Sequence, residues 1–132
     1  MKKERYYKLL YLIAAIYDSF LGTVFCFFYK PLFEYVLHRS LPESPIYFQV
    51  CAAFIAVTGL GFFYIYRNLY RNIDLVKIGI AMKLVYCLAA VWYATYATVP
   101  LAFVIFGICD VIFIILFIDF LKFAKTSGKV PT

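Results

Sequence analysis

Charged residues are scarce in this sequence, and their scarcity excludes an ordinary soluble domain. Asp, Glu, Lys and Arg make up 15% of the 132 residues, whereas hydrophobic residues make up 66%. Soluble domains contain about a quarter charged residues and roughly half apolar ones. A chain this short cannot hide such an excess of apolar surface in its own core. The composition therefore indicates that lipid covers the remainder.

Catalytic and metal-binding motifs are also missing. His38 is the only histidine, which excludes haem or zinc sites built from two imidazoles. There is no Cys-x-x-Cys pair, the motif that disulfide-exchange enzymes need. Nor is there a glycine-rich phosphate loop, a nucleophile elbow or a histidine box. We therefore predict no catalytic residue, no cofactor and no metal site, and an enzyme is the least favoured class.

Basic residues are more abundant than acidic ones, and their positions indicate a membrane rather than nucleic acid as the partner. The net charge is +6, but ten of the thirteen Lys and Arg residues lie at the ends of apolar runs. They are Lys2, Lys3, Arg5, Lys8, Arg67, Arg71, Lys77, Lys122, Lys125 and Lys129. Positive charges cluster in this way on the cytoplasmic side of membrane proteins. We predict a lipid bilayer as the environment and no nucleic-acid binding.

Four apolar segments are long enough to cross a bilayer, which takes about 20 helical residues. The predicted spans are about 8–29, 46–66, 75–96 and 100–122. Pro100 separates the last two, because proline ends one helix and starts the next. Backbone groups in hydrocarbon must pair within their own segment, and barrel-type alternation is absent. The sequence predicts an all-α fold, a four-helix transmembrane bundle that forms a single membrane domain over 1–132.

The loops predict the orientation of the bundle. Both chain ends and the connection 67–74 are basic, whereas the connection 30–45 is balanced in charge. Both termini are therefore expected on the cytoplasmic side. Apolar residues recur at helical spacing in 31–42, which predicts a short interfacial helix in the first external loop. Cys26 and Cys51 fall near the outer ends of their spans, and the sequence does not decide whether they form a disulfide.

Three ionisable residues fall deep within the predicted spans. Asp18, Lys83 and Asp110 lie within one or two helical turns of a common depth. Each would cost at least about 2.5–3.5 kcal/mol at mid-membrane if it faced lipid. We therefore predict that all three turn inward and that Lys83 pairs with one or both carboxylates. One excess negative charge then remains, for a proton, a cation or a cationic ligand to balance.

Small residues accompany this predicted polar site and would let the helices approach closely. Each of the three ionisable residues has a glycine one turn away, and a narrow face lies on the second span. These small residues are Gly22, Gly79 and Gly107, and Ala52, Ala56 and Gly59. The polar site is equally compatible with two roles, a ligand site and an interhelical polar contact that fixes helix register.

Two weaker signals lie near the cytoplasmic ends of the spans. Tyr-Arg-Asn occurs twice in 66–72, and on a helical extension this would place Arg67 and Arg71 together, where they could hold lipid phosphates. A role in setting topology is the simpler interpretation. Asp119 lies three residues before Lys122, and this spacing predicts an interfacial ion pair.

Three segments resemble small DoxX-like bacterial membrane proteins. They are YIYRN at 64–68, KIGIAMK at 77–83 and FGICDVIFIILF at 106–117, and the first span is similar at Tyr17, Asp18 and Gly22. The resemblance implies a four-helix bundle in the bacterial inner membrane, in a family whose role is mostly uncharacterised. Some relatives are associated with quinone or redox partners, but no residue set in this sequence carries that role across.

Two functional hypotheses follow. In the first, Asp18, Lys83 and Asp110 form a pocket that binds a small ligand, a lipid headgroup or a proton. In the second, the chain is a non-catalytic accessory or assembly subunit of a larger membrane complex. A membrane protein partner or a homo-oligomer is compatible with either hypothesis.

Overall fold

The computed structural model describes residues 2–129, and the chain is helical over most of that range. The long helices are α1 (Lys2–Phe27), α3 (Pro45–Arg67), α4 (Ile73–Ala94) and α5 (Leu101–Thr126). A single turn, α2 (Tyr29–Pro31), continues into a π-helical turn (Leu32–Leu37). No strand occurs between residues 2 and 129. The all-α prediction is confirmed, and the four long helices are each apolar enough to cross a membrane, as in a multi-pass membrane protein.

Proline sets the start of two of these helices. Pro45 occupies the first turn of α3, and Pro100 immediately precedes Leu101 at the start of α5. A fixed φ and the absence of an N–H suit proline to these positions. The helices α1 and α5 run beyond the predicted spans, to Lys2 and Thr126. Both helices therefore continue past the apolar segments into stretches that contain charged residues.

Glycine brings α1 and α3 together closely. A Cβ at Gly22 would lie 2.6 Å from the Ala52 carbonyl oxygen and 2.8 Å from the Ala56 Cα. A Cβ at Gly59 would lie 2.6 Å from the Ser19 nitrogen. No side chain fits in these spaces, so the predicted narrow face on the second span is confirmed. The prediction is wrong for Gly107, where an added Cβ would meet only a Tyr86 ring carbon at 3.9 Å.

One half of the bundle, which we call the packed half, contains the helix ends Lys2, Arg67, Ile73 and Thr126. Its core is aromatic: the rings of Tyr11 and Phe117 stack with centroids 4.9 Å apart, and Phe62 and Phe120 pack around them. These four side chains are essentially inaccessible to solvent. The aromatic side chains therefore hold α1, α3 and α5 together at this end.

Asp119 lies at the edge of the packed half, where its predicted ion pair with Lys122 is wrong. The Tyr7 hydroxyl donates a 2.7 Å hydrogen bond to the Asp119 carboxylate instead. Lys122 forms no ion pair within the described part of the chain. The contact between α1 and α5 thus replaces the local contact along α5.

The opposite half, which we call the open half, contains the helix ends Phe27, Pro45, Ala94 and Leu101. The connecting segment 28–44 folds over it. Leu32 and Leu37 are buried in a cluster that includes Phe25 and Phe48. His38 has a φ of 50° and ends the helical turns, and the Arg39 guanidinium donates to the Thr98 carbonyl at 2.9 Å. The segment predicted to be helical over 31–42 is helical over 29–37, and its interfacial position stays a prediction.

The connection between α3 and α4 is a turn and not a helical extension. Asn68 has extended backbone angles, φ −147° and ψ 95°, directly after Arg67. The Asn72 side-chain amide donates to the carbonyl oxygens of Tyr64 and Asn68 and closes the turn. The predicted helical continuity between Arg67 and Arg71 is therefore wrong, although both side chains are exposed.

Candidate functional site

The three buried ionisable residues meet in one cluster, which we call the triad. The Lys83 ammonium, on α4, donates to Asp18 Oδ1 on α1 at 3.0 Å and to Asp110 Oδ1 on α5 at 2.6 Å. Relative exposure is 3% for Asp18, 5% for Lys83 and 9% for Asp110. The predicted inward orientation and the bridging of both carboxylates by Lys83 are confirmed as geometry.

Aromatic rings surround the ammonium group on its other sides. Lys83 Nζ lies 5.6 Å from the ring centroid of Tyr17, 5.7 Å from that of Phe62 and 5.1 Å from that of Phe113. Ring faces attract a cation within about 6 Å, and more so where water is excluded. These ring contacts with Lys83 were not predicted from the sequence. Two of the rings had a signal in the sequence, because Tyr17 precedes Asp18 and Phe113 lies one turn after Asp110. Phe62 lies on α3 and had no such signal.

The carboxylates of the triad retain hydrogen-bonding capacity. Both aspartates use Oδ1 for Lys83, and neither Oδ2 has a hydrogen-bond partner among residues 2–129. The buried hydroxyl group of Tyr17 is also without a partner in that range. Buried polar groups are normally satisfied by protein or by water. The second oxygen of each triad aspartate is thus able to accept a further hydrogen bond.

A cavity of about 330 Å³ lies next to the triad, in the open half. Asp18, Lys83 and Asp110 form its polar floor. Its walls are mostly apolar, and six aromatic side chains contribute to them: Tyr17, Phe25, Phe48, Tyr86, Phe103 and Phe106. A small number of polar groups at one end of an apolar cavity is typical of sites for small molecules.

The cavity is closed toward the end of the bundle and partly open at its side. Leu32 and Leu37 of the connecting segment pack with Phe25, which lines the cavity, and so cover its end. On the side between α3 and α4, the lining residues Cys51 and Met82 are exposed. On the side of the packed half, the hydroxyl of Thr58 contacts the Met82 sulfur at 3.5 Å. The opening therefore lies between α3 and α4, on the face that the acyl chains of a bilayer would touch.

Tyr86 fixes the wall of the cavity formed by α4 and α5. Its hydroxyl donates to the Phe103 carbonyl oxygen at 3.1 Å, which links the two helices above the triad. Cys87 makes a weaker contact nearby, with its sulfur 3.8 Å from the Gly107 carbonyl oxygen. These contacts account for the position of α5 without close packing at Gly107.

The remaining candidate residues lie away from the triad. Arg67 and Arg71 are exposed at the far end of the packed half, and their contact with lipid phosphate stays a prediction. Cys26 and Cys51 are free thiols, so no disulfide joins α1 to α3. Among residues 2–129, no group of three or more His, Cys, Asp or Glu side chains is arranged to hold a metal ion.

Comparisons with known proteins do not identify a relative. The chain matches no protein-family model, no curated protein and no solved structure at a significant level. The resemblance to small DoxX-like membrane proteins therefore stays a prediction.

Proposed function

We propose that this chain is a membrane protein that binds a small amphiphilic molecule in the cavity, with the polar group of that molecule at the triad. The observation that carries the proposal is the coincidence of two features at one place. A cluster of three buried ionisable groups forms the floor of an otherwise apolar cavity of about 330 Å³. A molecule with one polar end and an apolar body complements both features.

Incomplete satisfaction of the triad favours a ligand over a purely structural contact. Removing a charge from water costs several kcal/mol, which is recovered only if the remaining bonding positions are filled. Lys83 fills one oxygen of each aspartate and leaves the other oxygens of Asp18 and Asp110 unfilled. A ligand group that donates hydrogen bonds would fill them. A proton on one carboxylate would remove the excess charge but would not occupy the cavity.

The proposed setting is the bacterial inner membrane, with both termini and the packed half toward the cytoplasm. The basic residues of 2–8, 67–77 and 122–129 support this orientation, because positive charge is retained on the cytoplasmic side. The connecting segment would then lie at the outer interface, and Arg67 and Arg71 would lie near cytoplasmic lipid phosphates. The DoxX-like resemblance is in keeping with this setting. Labelling of Lys129 by an impermeant amine reagent in right-side-out vesicles would contradict the orientation.

A second candidate is an accessory or assembly subunit, in which the triad holds helices together. The observation that favours it is the position of Lys83, which joins α1, α4 and α5 through two ion pairs. Interhelical polar contacts of this kind stabilise membrane bundles by about 1 kcal/mol. In that case removal of one carboxylate would weaken assembly and leave bound small molecules unchanged.

Native mass spectrometry of the protein purified in mild detergent separates these functions. We expect a non-covalent small-molecule adduct on the unmodified protein and its loss in Asp110→Asn, which keeps the Lys83–Asp18 ion pair. Asp74→Asn is the matched control, because it removes an exposed carboxylate in the first turn of α4, away from Lys83. A protein without any adduct would contradict the proposal. Retention of the adduct in Asp110→Asn, with loss of a co-purifying subunit, would favour the second candidate.

A further inference from the structure

We infer that the ligand carries a cationic headgroup, an amine or a quaternary ammonium, and that it enters the cavity sideways from the bilayer between α3 and α4. The inferred ligand class rests on the proposed binding function. It adds the sign of the ligand's charge and the route of entry, both of which follow from separate features of the cavity.

The charge of the cavity floor favours a cation. Two carboxylates and one ammonium carry a formal sum of −1, and the ammonium of Lys83 is already shared between Asp18 and Asp110. The unfilled oxygens of both aspartates can accept bonds from an ammonium group but would repel an anion. Attraction between opposite charges is strong where water is excluded. A headgroup with one positive charge therefore brings the floor to neutrality.

The walls of the cavity favour a cation as well. Six aromatic residues line the space above the triad, and Lys83 already lies over the rings of Tyr17, Phe62 and Phe113. Aromatic rings arranged around a cavity recognise alkylated ammonium groups through the negative potential of their faces. Floor and walls thus select the same sign of charge.

Volume and access determine the size of the ligand and its route. A space of about 330 Å³ falls in the size range of small-molecule sites and is enough for a headgroup and the start of a chain. Leu32 and Leu37 cover the end of the cavity, whereas Cys51 and Met82 are exposed at its side. A chain attached to the bound headgroup can leave between α3 and α4 and remain in the hydrocarbon.

Cys51 reports occupancy directly, because it lines the cavity and is exposed. The experiment uses the full chain with C26A, C87A and C109A, in nanodiscs of phosphatidylglycerol, and measures alkylthiolation of Cys51 by methyl methanethiosulfonate. Decylamine, decanol and decyl sulfate are the probes. We expect decylamine at ten times its Kd to slow the reaction about tenfold, as mass action requires. Decanol and decyl sulfate should leave the rate unchanged.

Substitutions link the protection to the triad. Asp110→Asn and Asp18→Asn should each weaken decylamine protection about tenfold or more, whereas Asp74→Asn should leave it unchanged. Two separate variants keep the test valid if one of them fails to fold. Protection in nanodiscs of phosphatidylethanolamine, without added amine, would identify an aminolipid headgroup as the source of the cation. Protection by decylamine without protection by phosphatidylethanolamine would identify a free cationic amphiphile.

The outcomes that overturn the inference differ from those that overturn the proposed function. Equal protection by decylamine and decanol, or stronger protection by decyl sulfate, would overturn the cationic class and leave amphiphile binding intact. Reaction of Cys51 only with a charged, water-soluble thiosulfonate would overturn lateral entry. Failure of all three probes to protect, together with the absence of any native adduct, would overturn both.

Discussion

Lys83 is the residue on which the polar centre of the molecule depends. Its ammonium bridges two carboxylates and is within 6 Å of three ring centroids, so that a charge removed from water regains most of its interactions. Removal of one partner from a buried ion pair is far more costly than loss of an exposed pair. The same type of pair occurs exposed on α4, where Lys77 contacts Asp74 at 2.8 Å.

Substitution of Lys83 therefore tests the buried cluster against a matched exposed pair. We expect Lys83→Met to reduce the free energy of unfolding by about 3–5 kcal/mol, because two buried carboxylates lose their shared partner. Lys77→Met should change it by about 0.5 kcal/mol or less, since exposed ion pairs contribute little. Reversible unfolding in mixed detergent micelles measures both. Equal effects of the two substitutions would contradict the buried arrangement.

The triad could be predicted at the residue scale, because the cost of placing a charge in lipid favours pairing of its three members. Charges at mid-membrane depth are costly against lipid, and this is true whatever the details of packing. The contact between Tyr7 and Asp119 could not be predicted in this way, because it joins residues 112 positions apart. Lys122 lies three residues after Asp119 on α5, but the Asp119 carboxylate accepts a hydrogen bond from Tyr7 of α1 instead. Local spacing is thus a weak guide to partners at the edge of a bundle.

At the scale of elements, the closest packing is between α1 and α3. Gly22 and Gly59 lie against backbone atoms of the opposite helix, so both helices must keep these positions free of a side chain. Gly61 lies on α3 as well, but nothing within 4 Å would meet a Cβ there. The two glycines of α3 therefore differ only in their surroundings.

Alanine at these glycines should have opposite effects. We expect Gly59→Ala to destabilise the protein by about 1–3 kcal/mol, because overpacking forces the helices apart. Gly61→Ala should be neutral or stabilise by up to about 1 kcal/mol, since alanine has the higher helix propensity. Thermal unfolding followed by circular dichroism distinguishes the two variants. Destabilisation by both would show that α1 and α3 are not arranged as described.

The long helices could be predicted because apolar length determines them, whereas the connections could not. The break after Arg67 depends on Asn68 and on the Asn72 side chain, which closes the turn through backbone carbonyls. A repeat of Tyr-Arg-Asn gives no sign of this. In the connecting segment, burial of Leu32 and Leu37 depends on where α1 and α3 place Phe25 and Phe48.

At the scale of the whole molecule, the two halves of the bundle differ in packing. Aromatic side chains form the core of the packed half, whereas the open half contains the cavity beside the triad and is covered by the connecting segment. The cavity could not be predicted from the sequence, because it depends on how side chains from α1, α3, α4 and α5 pack around the triad. Such packing results from all the contacts of the bundle together and has no local signature.

Both ends of the described chain meet at the packed half. The Lys129 ammonium and the Tyr70 hydroxyl both donate to the Glu4 carboxylate, and Lys129 also lies over the Tyr70 ring. The hydrogen bond to Glu4 raises the pKa of Lys129 above its usual 10.5. A raised pKa favours the protonated form, so this link is present below pH 10.5 and is lost as the pH rises through the folded-state value.

Glu4→Gln should therefore make the Lys129 amine more reactive. We expect the pH profile of its acetylation to shift to lower pH, because a larger fraction of the amine is neutral at a given pH. Lys125 is exposed on α5 and provides the internal reference rate. Peptide mass spectrometry measures both lysines in one sample. An unchanged ratio of the two rates would contradict the link between the ends.

An experimental density map of the protein in nanodiscs tests the central claim most directly. We expect Asp18, Lys83 and Asp110 in contact inside the bundle, with non-protein density beside Lys83 that continues between α3 and α4 toward the lipid. A map in which these three side chains face the acyl chains on separate surfaces, or in which packed side chains fill the space above Lys83, would contradict it.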